Sequence, residues 1–486
     1  MHLPHRRPVP SHLDLPLRAC LLPAVLLSCT AVAAPAPSAR QSIAIAIAIA
    51  IVDVTVVDPE RAHTSMPRTV LVEDGRIVAV VEPRKAVIPE HALRLDGRGR
   101  YLMPGLVDLH VHLFNLASKR PPNDWTFPLF VANGVTAVRE MSTNADGVKQ
   151  VRRWNDALSR GEIVAPRIIA AGIAVGGASP EAAIDAVDAA ADAGADFIKV
   201  FSELPQAQWQ AVLAEARRRG LPVAGHVPAQ VALQSAAAAG QHDNEHLMQA
   251  VEACSSKESA LIAGRAAGGE ALSPPQLDAD TRQAAQHFDA KRCRAVAVAV
   301  AAAGQVQIPT LVLPHTEAEG SAAALANDPR WIYLRADERR RWQRAQAALT
   351  ADDHALFRER WSALRRIAVI FHRADVVMLA GTDTPMPGVY PGYSLHEELE
   401  LLVAAGLSPR EALRAATALP AHLSGMGTNS GAIAAGRRAD LVLLDADPTR
   451  DIRNTRRIRA VVLDGRLLTR EALDALLADA ARAQAP

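Results

Sequence analysis

The chain has 486 residues, 49% of them apolar and 22% charged, with a formal net charge of +1. That is enough apolar residue for one large domain plus a smaller one, and acids and bases mix with no basic block, which disfavours nucleic acid or an acidic surface as partner. Small molecules and other proteins remain, and assembly into a homo-oligomer stays open.

Residues 1–36 read as an export signal. The basic stretch HRRPVPSHLDLPLR precedes the apolar ACLLPAVLLSCTAVAA (19–34), which is short for a membrane span and ends in Ala31-Val32-Ala33. Cleavage is expected near residues 33–36, giving a periplasmic or secreted protein. LLSC (26–29) offers a second reading as a lipoprotein box, with Cys29 carrying the lipid and providing the one link to a membrane. A retained N-terminal anchor is a third. Of the four cysteines, only Cys254 and Cys293 lie beyond this region. An oxidising compartment permits them to pair, and two separate buried thiols is the alternative.

Next, residues 44–60 begin as alternating Ile and Ala and continue in β-branched residues, a strand pattern. RTVLVEDGRIVAVVEP (68–83) reads as a hairpin about Asp74-Gly75. Similar β-rich runs return in ADLVLLDADP (439–448) and IRAVVLDGRLL (458–468). Residues 41–103 and 429–475 are therefore expected to form a small β-sandwich domain from both ends of the chain.

Between them, over 104–428, strand-like runs at 104–110, 134–140, 166–173, 196–201, 221–226, 241–246, 306–313 and 376–383 alternate with Ala-rich helical stretches. Eight such units predict an α/β fold, a (β/α)8 TIM-like barrel. Helical insertions are expected at about 250–300 and 315–370.

Chemistry collects at the predicted strand ends. In GLVDLHVHLF (105–114), His110 and His112 are two apart, so a strand aims both imidazoles to one side. Lys199 sits in the apolar run DFIKVF, where an unpaired ammonium is costly to bury. His226 ends LPVAGHVP, His246 follows in NEHL, and Asp383 lies in GTDTP. The C-terminal ends of barrel strands are where active sites are built, and histidines with a carboxylate there suit a metal. Weaker candidates for substrate contact are Arg139, whose fork suits a carboxylate, and His315. His242 reads as a core or supporting group, HEELE (396–400) as a solvated face, and GTDTPMPGVYPGYS (381–394) as a loop shaping the pocket.

Taken together, GLVDLHVH, the strand lysine, GHV, EH, GTD and the closing GAIAAGRRADLVLLDADP (431–448) resemble the amidohydrolase superfamily of metal-dependent hydrolases. DFIKVF, VAGHVP and NEHL are most similar to its imidazolonepropionase-like branch, which includes Xaa-Pro dipeptidases and ochratoxin-type amidases. The resemblance implies two divalent metal ions, expected as Zn2+. It assigns His110, His112 and Asp383 to one, His226 and His246 to the other, and Lys199, carboxylated at its amine, to the bridge. It also implies hydrolysis of a C–N amide bond in a small-molecule substrate, such as an Xaa-Pro-like dipeptide or an N-acyl amino acid, with Asp383 moving the proton. A lactone or ester is the alternative substrate. A mononuclear deaminase needs a Glu soon after His226, where HVPAQ has none. Imidazolonepropionase itself lacks the lysine bridge, and a non-catalytic barrel leaves six competent side chains unexplained. Phe201 stands where some dipeptidase-like relatives place a tyrosine.

Overall fold

A computed structural model describes residues 48–60, 65–115, 120–267, 274–423 and 429–485. The expected export signal and Cys29 lie outside them. Among the described residues no helix is long and apolar enough to cross a membrane.

The two ends of the chain meet in one eight-stranded sheet. It holds β1 (Ala48–Val56), β2 (Arg68–Glu73), β3 (Arg76–Val81), β4 (Leu93–Asp96) and β5 (Tyr101–Pro104) from the N-terminal side, and β13 (Leu441–Leu444), β14 (Ile458–Leu463) and β15 (Arg466–Thr469) from the C-terminal side. Strand β5 joins the halves by pairing with β13, and β1 links β5 to β2 and β4. Asp53 takes a left-handed backbone (φ 59°) where the register slips between Ile51 and Val54, so the first half of β1 pairs with β4 and its end with β5. The Asp-Gly pairs at 74–75 and 464–465 turn the β2–β3 and β14–β15 hairpins, all four residues at positive φ. Ile49, Ile51, Val70, Leu102, Leu441 and Val462 belong to one buried cluster drawn from both halves. Where the sequence suggests a sandwich of two sheets, the hydrogen bonding links all eight strands in one sheet.

The middle of the chain forms a curled parallel sheet. Its strands β6 (Leu106–Val111), β7 (Val135–Thr143), β8 (Arg167–Ala174), β9 (Phe197–Val200) and β10 (Val223–Gly225) pair in chain order. β11 (Asp243–Glu245) and β12 (Val306–Ile308) form a parallel pair. A bond from His242 N–H to the Val223 carbonyl (2.8 Å) links β11 towards β10.

Closure falls to residues 377–384, the eighth expected strand. They make isolated bridges, Met378 to Gln307 and Thr384 to Val111. Bonds from Leu379 N–H to the Gln307 carbonyl (2.9 Å), Leu109 N–H to the Ala380 carbonyl (3.1 Å) and Asp383 N–H to the His110 carbonyl (2.8 Å) complete the ring. Gly381 is required here by close approach: a Cβ would meet Ile308 Cγ2 at 2.6 Å and His110 Cβ at 3.0 Å.

The expected insertions are helical. Pro274–Gln286, Ala290–Ala303, Val312–Glu319, Ala336–Ala347 and Ala351–Arg373 are the longer helices from Pro274 to Arg373. A disulfide between Cys254 and Cys293, both fully buried, ties the segment before this group into it. The expected strand 306–313 ends at Ile308, because a helix begins at Val312.

HEELE is not a solvated face. His396 and Glu398 are buried in helix Tyr393–Ala404. His396 Nδ1 lies 2.9 Å from Thr455 Oγ1 and its Nε2 3.1 Å from the Asn133 carbonyl. Glu398 accepts from Val312 N–H (2.8 Å), at the start of helix Val312–Glu319, while its other oxygen has no partner. Burial pushes the Glu398 carboxyl up to about 8. Between its usual value near 4.5 and about 8, the folded chain keeps a proton that the unfolded chain has released, so this group makes stability fall as pH rises through that window. Glu398→Gln is therefore expected to flatten the pH dependence of the denaturation midpoint between about pH 4.5 and 8; an unchanged slope would contradict this reading.

Candidate metal centre

The six residues singled out at strand ends converge at one end of the barrel. His110 and His112 stand on and just after β6, Lys199 near the end of β9, His226 just after β10, His246 just after β11, and Asp383 in the closing segment. Strand alternation puts His110 and His112 on one side, and the bond between Asp383 N–H and the His110 carbonyl carries the carboxylate to them. Asp383 Oδ1 is 3.1 Å from His110 Nε2 and 2.8 Å from His112 Nε2. One donor atom each from His110, His112 and Asp383 lies within 4.8 Å of the others, a spacing that can hold an ion. The His246 ring centroid is 4.5 Å from that of His110 and 5.1 Å from that of His226. Lys199 Nζ lies 5.1 Å from the centre of the Phe201 ring, which packs edge-on to His226.

Three atoms in this cluster are buried without a hydrogen-bond partner: His110 Nε2, Asp383 Oδ1 and Lys199 Nζ. That arrangement fits donors aimed at a common cation, which would satisfy what the protein leaves open.

The remaining ring nitrogens are held from behind. His110 Nδ1 is 2.6 Å from Glu245 Oε2, His226 Nδ1 is 3.0 Å from Ser202 Oγ, and His246 Nδ1 is 2.7 Å from Thr310 Oγ1. Such contacts fix the ring and leave Nε2 free for an ion. His246, Thr310 and Asp383 all adopt positive φ (58°, 44° and 67°), so backbone strain gathers at this rim.

The electrostatics suit ligation. Burial pushes His110 down to about 3 and holds His226 and His246 well below the usual imidazole range. Burial alone would raise Asp383, but His246 and His110 outweigh it and keep the carboxylate ionised. Burial also depresses the Lys199 amine. His112 differs, because burial lowers it but the Asp383 carboxylate outweighs that and holds it above the usual imidazole range; the other three neutral imidazoles beside an ionised carboxylate are the protonation states that metal binding requires.

Arg139, expected to meet a substrate carboxylate, is instead turned into the barrel. Its Nε donates to the Leu109 carbonyl (2.7 Å), one terminal nitrogen to Asp243 Oδ2 (2.8 Å) and the other to Glu245 Oε1 (2.7 Å). His242 is half-exposed, its Nδ1 3.3 Å from Asp243 Oδ2, in keeping with a supporting group. His315 stands on helix Val312–Glu319 against Trp361 and lines a cavity of 460 Å³ with Arg330, Tyr390 and Glu397; none of the six clustered residues lines that cavity.

Other buried groups escaped the sequence reading. Asp108 accepts from Thr382 Oγ1 (2.6 Å) and the Thr382 N–H (3.0 Å), pinning the closing segment to β6. Glu140 accepts from the N–H groups of Leu113 and Ser142, fixing the chain just past His112. Burial raises each of these carboxyls to about 7. Asp108 carried a signal, since the spacing of two that pairs His110 with His112 also reaches back to it. Glu245 is adjacent to His246, but nothing in the sequence pairs it with His110.

Residues 101–468 match the family model described as amidohydrolase family. The chain belongs to the amidohydrolase family. A protein assigned as a prolidase from Bifidobacterium longum is 25% identical to this family member, with a TM-score of 0.60 over 90% of this chain and 99% of that one. The bottromycin amidohydrolase structure is 24% identical, with a TM-score of 0.68 over 92% and 94%, and supports the fold. A curated dihydroorotase of Anaeromyxobacter sp. (strain K) is 33% identical over 125 residues, 24% of this chain and 25% of its own length. That match therefore spans a quarter of the dihydroorotase.

The Arg139 pairs are buried with Asp243 and Glu245, and removing one partner of such a set leaves uncompensated charge. Arg139→Met is expected to destabilise the metal-stripped protein by about 3–5 kcal/mol, read from denaturant midpoints. A loss under about 1 kcal/mol would show that the carboxylates do not depend on the guanidinium.

Proposed function

We propose that the chain is an exported metal-dependent hydrolase of C–N amide bonds. In this reading His110, His112 and Asp383 hold one divalent ion and His226 and His246 a second, with Lys199 carboxylated and bridging them. The observation that carries it is the buried Lys199 amine without a hydrogen-bond partner, near the equally unsatisfied His110 Nε2 and Asp383 Oδ1. The depressed amine is neutral more of the time, and a neutral amine adds CO2: an N–C bond forms, a proton leaves to solvent, and the carbamate carries one negative charge. A cation that burial penalises thereby becomes an anion with two oxygens.

Two bound ions, expected to be zinc, would supply hydroxide near neutral pH and polarise the scissile carbonyl. Asp383 accepts the proton of the attacking water and returns it to the departing nitrogen, a task suited to a carboxylate kept ionised by His246 and His110. Ser202 and Thr310 keep the His226 and His246 rings turned. Phe201, against His226, keeps one side of Lys199 apolar.

Likeness to a protein assigned as a prolidase and to bottromycin amidohydrolase supports an amide substrate, and an Xaa-Pro-like dipeptide or an N-acyl amino acid fits the reading. Export is supported by the apolar N-terminal run of the sequence and by the Cys254–Cys293 disulfide, a bond that persists in oxidising compartments.

Metal analysis of the purified protein is expected to give about two zinc ions per chain. Lys199→Ala should lose both the metal and the hydrolysis of dipeptides and N-acyl amino acids. A full metal complement in that variant would sink the bridged centre. Turnover of lactones or esters with no amide hydrolysis would overturn the substrate class and leave the metal centre standing.

A further inference from the structure

The opposite end of the barrel holds a cavity of 430 Å³. Strand beginnings line it, whereas the clustered histidines stand at strand ends. Its apolar walls include Leu109, Ile169, Phe197, Val306, Ile308 and Leu379, and its polar side is formed by Asp243, His242, Asp196 and Arg139. We propose that this cavity is a second ligand site, for a small protonated amine with a short apolar body, whose head sits on Asp243.

The argument rests first on Asp243. The residue is 2% exposed, lines the cavity, and its Oδ1 is buried with no hydrogen-bond partner. Its other oxygen is already taken, by Arg139 at 2.8 Å and His242 at 3.3 Å. A buried carboxylate oxygen left open is expensive, and only a donor can satisfy it. Burial pushes this carboxyl up, but Arg139 and then His242 outweigh that and hold it ionised, so an anionic group stands in the cavity wall.

The surroundings select among donors. Arg139 and His242 line the same side, but both are engaged with Asp243 and Arg139 also with Glu245, so what remains for a ligand is acceptor oxygen on Asp243 and Asp196, which calls for a donor head such as an ammonium. A cluster of waters would find few partners on the apolar walls, whereas an alkyl or aryl body would bury there. Among the described residues the one group with metal-ligand spacing is His110, His112 and Asp383, which does not line this cavity, so a metal ion is not the occupant the geometry favours. Asp243 is also the outer end of a chain of contacts running through Arg139 and Glu245 to His110 Nδ1. This proposal is independent of the metal chemistry assigned to the other end.

Titration of the purified full chain with n-butylammonium, with 1-butanol as the neutral comparison, tests it. Expected are saturable binding of the amine, unchanged after chelation of metals, and binding of the alcohol at least tenfold weaker. Asp243→Asn should weaken amine binding at least tenfold. Because that change also loosens Arg139, Ile169→Trp and Leu379→Phe, which fill the cavity from positions not paired with the contact chain, should do the same in variants whose circular dichroism matches the parent. Absence of saturable binding would overturn the proposal, as would amine binding that the filling variants leave unchanged or that chelation abolishes. Equal affinity for the alcohol would show a plain apolar hole and overturn the assignment to an amine.

Discussion

Everything at the candidate metal centre depends on how the barrel closes. Residues 377–384 form no continuous strand, and single hydrogen bonds to β12 and β6 hold them in the eighth position. One of those bonds, from Asp383 N–H to the His110 carbonyl, brings a carboxylate from the far end of the domain to two histidines of its beginning. Gly381 allows the approach, because any side chain there would strike Ile308 and His110. Asp108 reinforces it with two bonds to Thr382. Sparse pairing permits the left-handed backbone of Asp383, which a regular strand would forbid, and that backbone accompanies the turn of the carboxylate onto both imidazoles.

The closure creates an electrostatic problem that the surrounding residues divide between them. Four imidazoles, one amine and several carboxylates share a volume with little water, and burial by itself pushes each toward its neutral form. On one side Arg139 binds Asp243 and Glu245 and so supports Glu245, which in turn holds His110. On the other, hydroxyls of Ser202 and Thr310 orient His226 and His246 without adding charge. Among the six clustered side chains, what stays unsatisfied is His110 Nε2, Asp383 Oδ1 and Lys199 Nζ, and Asp243 Oδ1 stays open behind them. Atoms left open on this face are organised around something the protein does not itself supply.

The sequence was most legible where chemistry and periodicity coincide. Spacing of two in GLVDLHVH, and polar residues ending apolar runs, led to all six clustered side chains, and seven of the eight expected strands appear with shifted ends. Less legible were residues whose partners are distant in sequence. Arg139 has the fork of a carboxylate binder, but its carboxylates are Asp243 and Glu245, more than a hundred residues on. HEELE looks solvated because helical charge usually is, yet His396 meets Thr455 and Asn133, which only the folded chain brings near. The terminal strands were visible as strands, while their union in one sheet turns on the pairing of β5 with β13, strands far apart in the chain, which composition does not announce.

Ligand-bearing strands and the helices around them answer to different constraints. The strand ends must present fixed donors at fixed separations, so their residue types are narrow and readable. Helices such as Val312–Glu319 and Ala351–Arg373 need only pack against one another, and they do so through Trp361, Leu364, Ile367 and their neighbours while leaving exposed faces free to vary. His315 illustrates the separation: it follows β12 in the chain, yet it packs on Trp361 and lines a cavity bounded by Arg330 and Tyr390. On the proposed function, choice among substrates is expected to reside in these helices and in the loop over Pro387 and Gly388, whereas the strand bearing Lys199 would govern how metal ions are held.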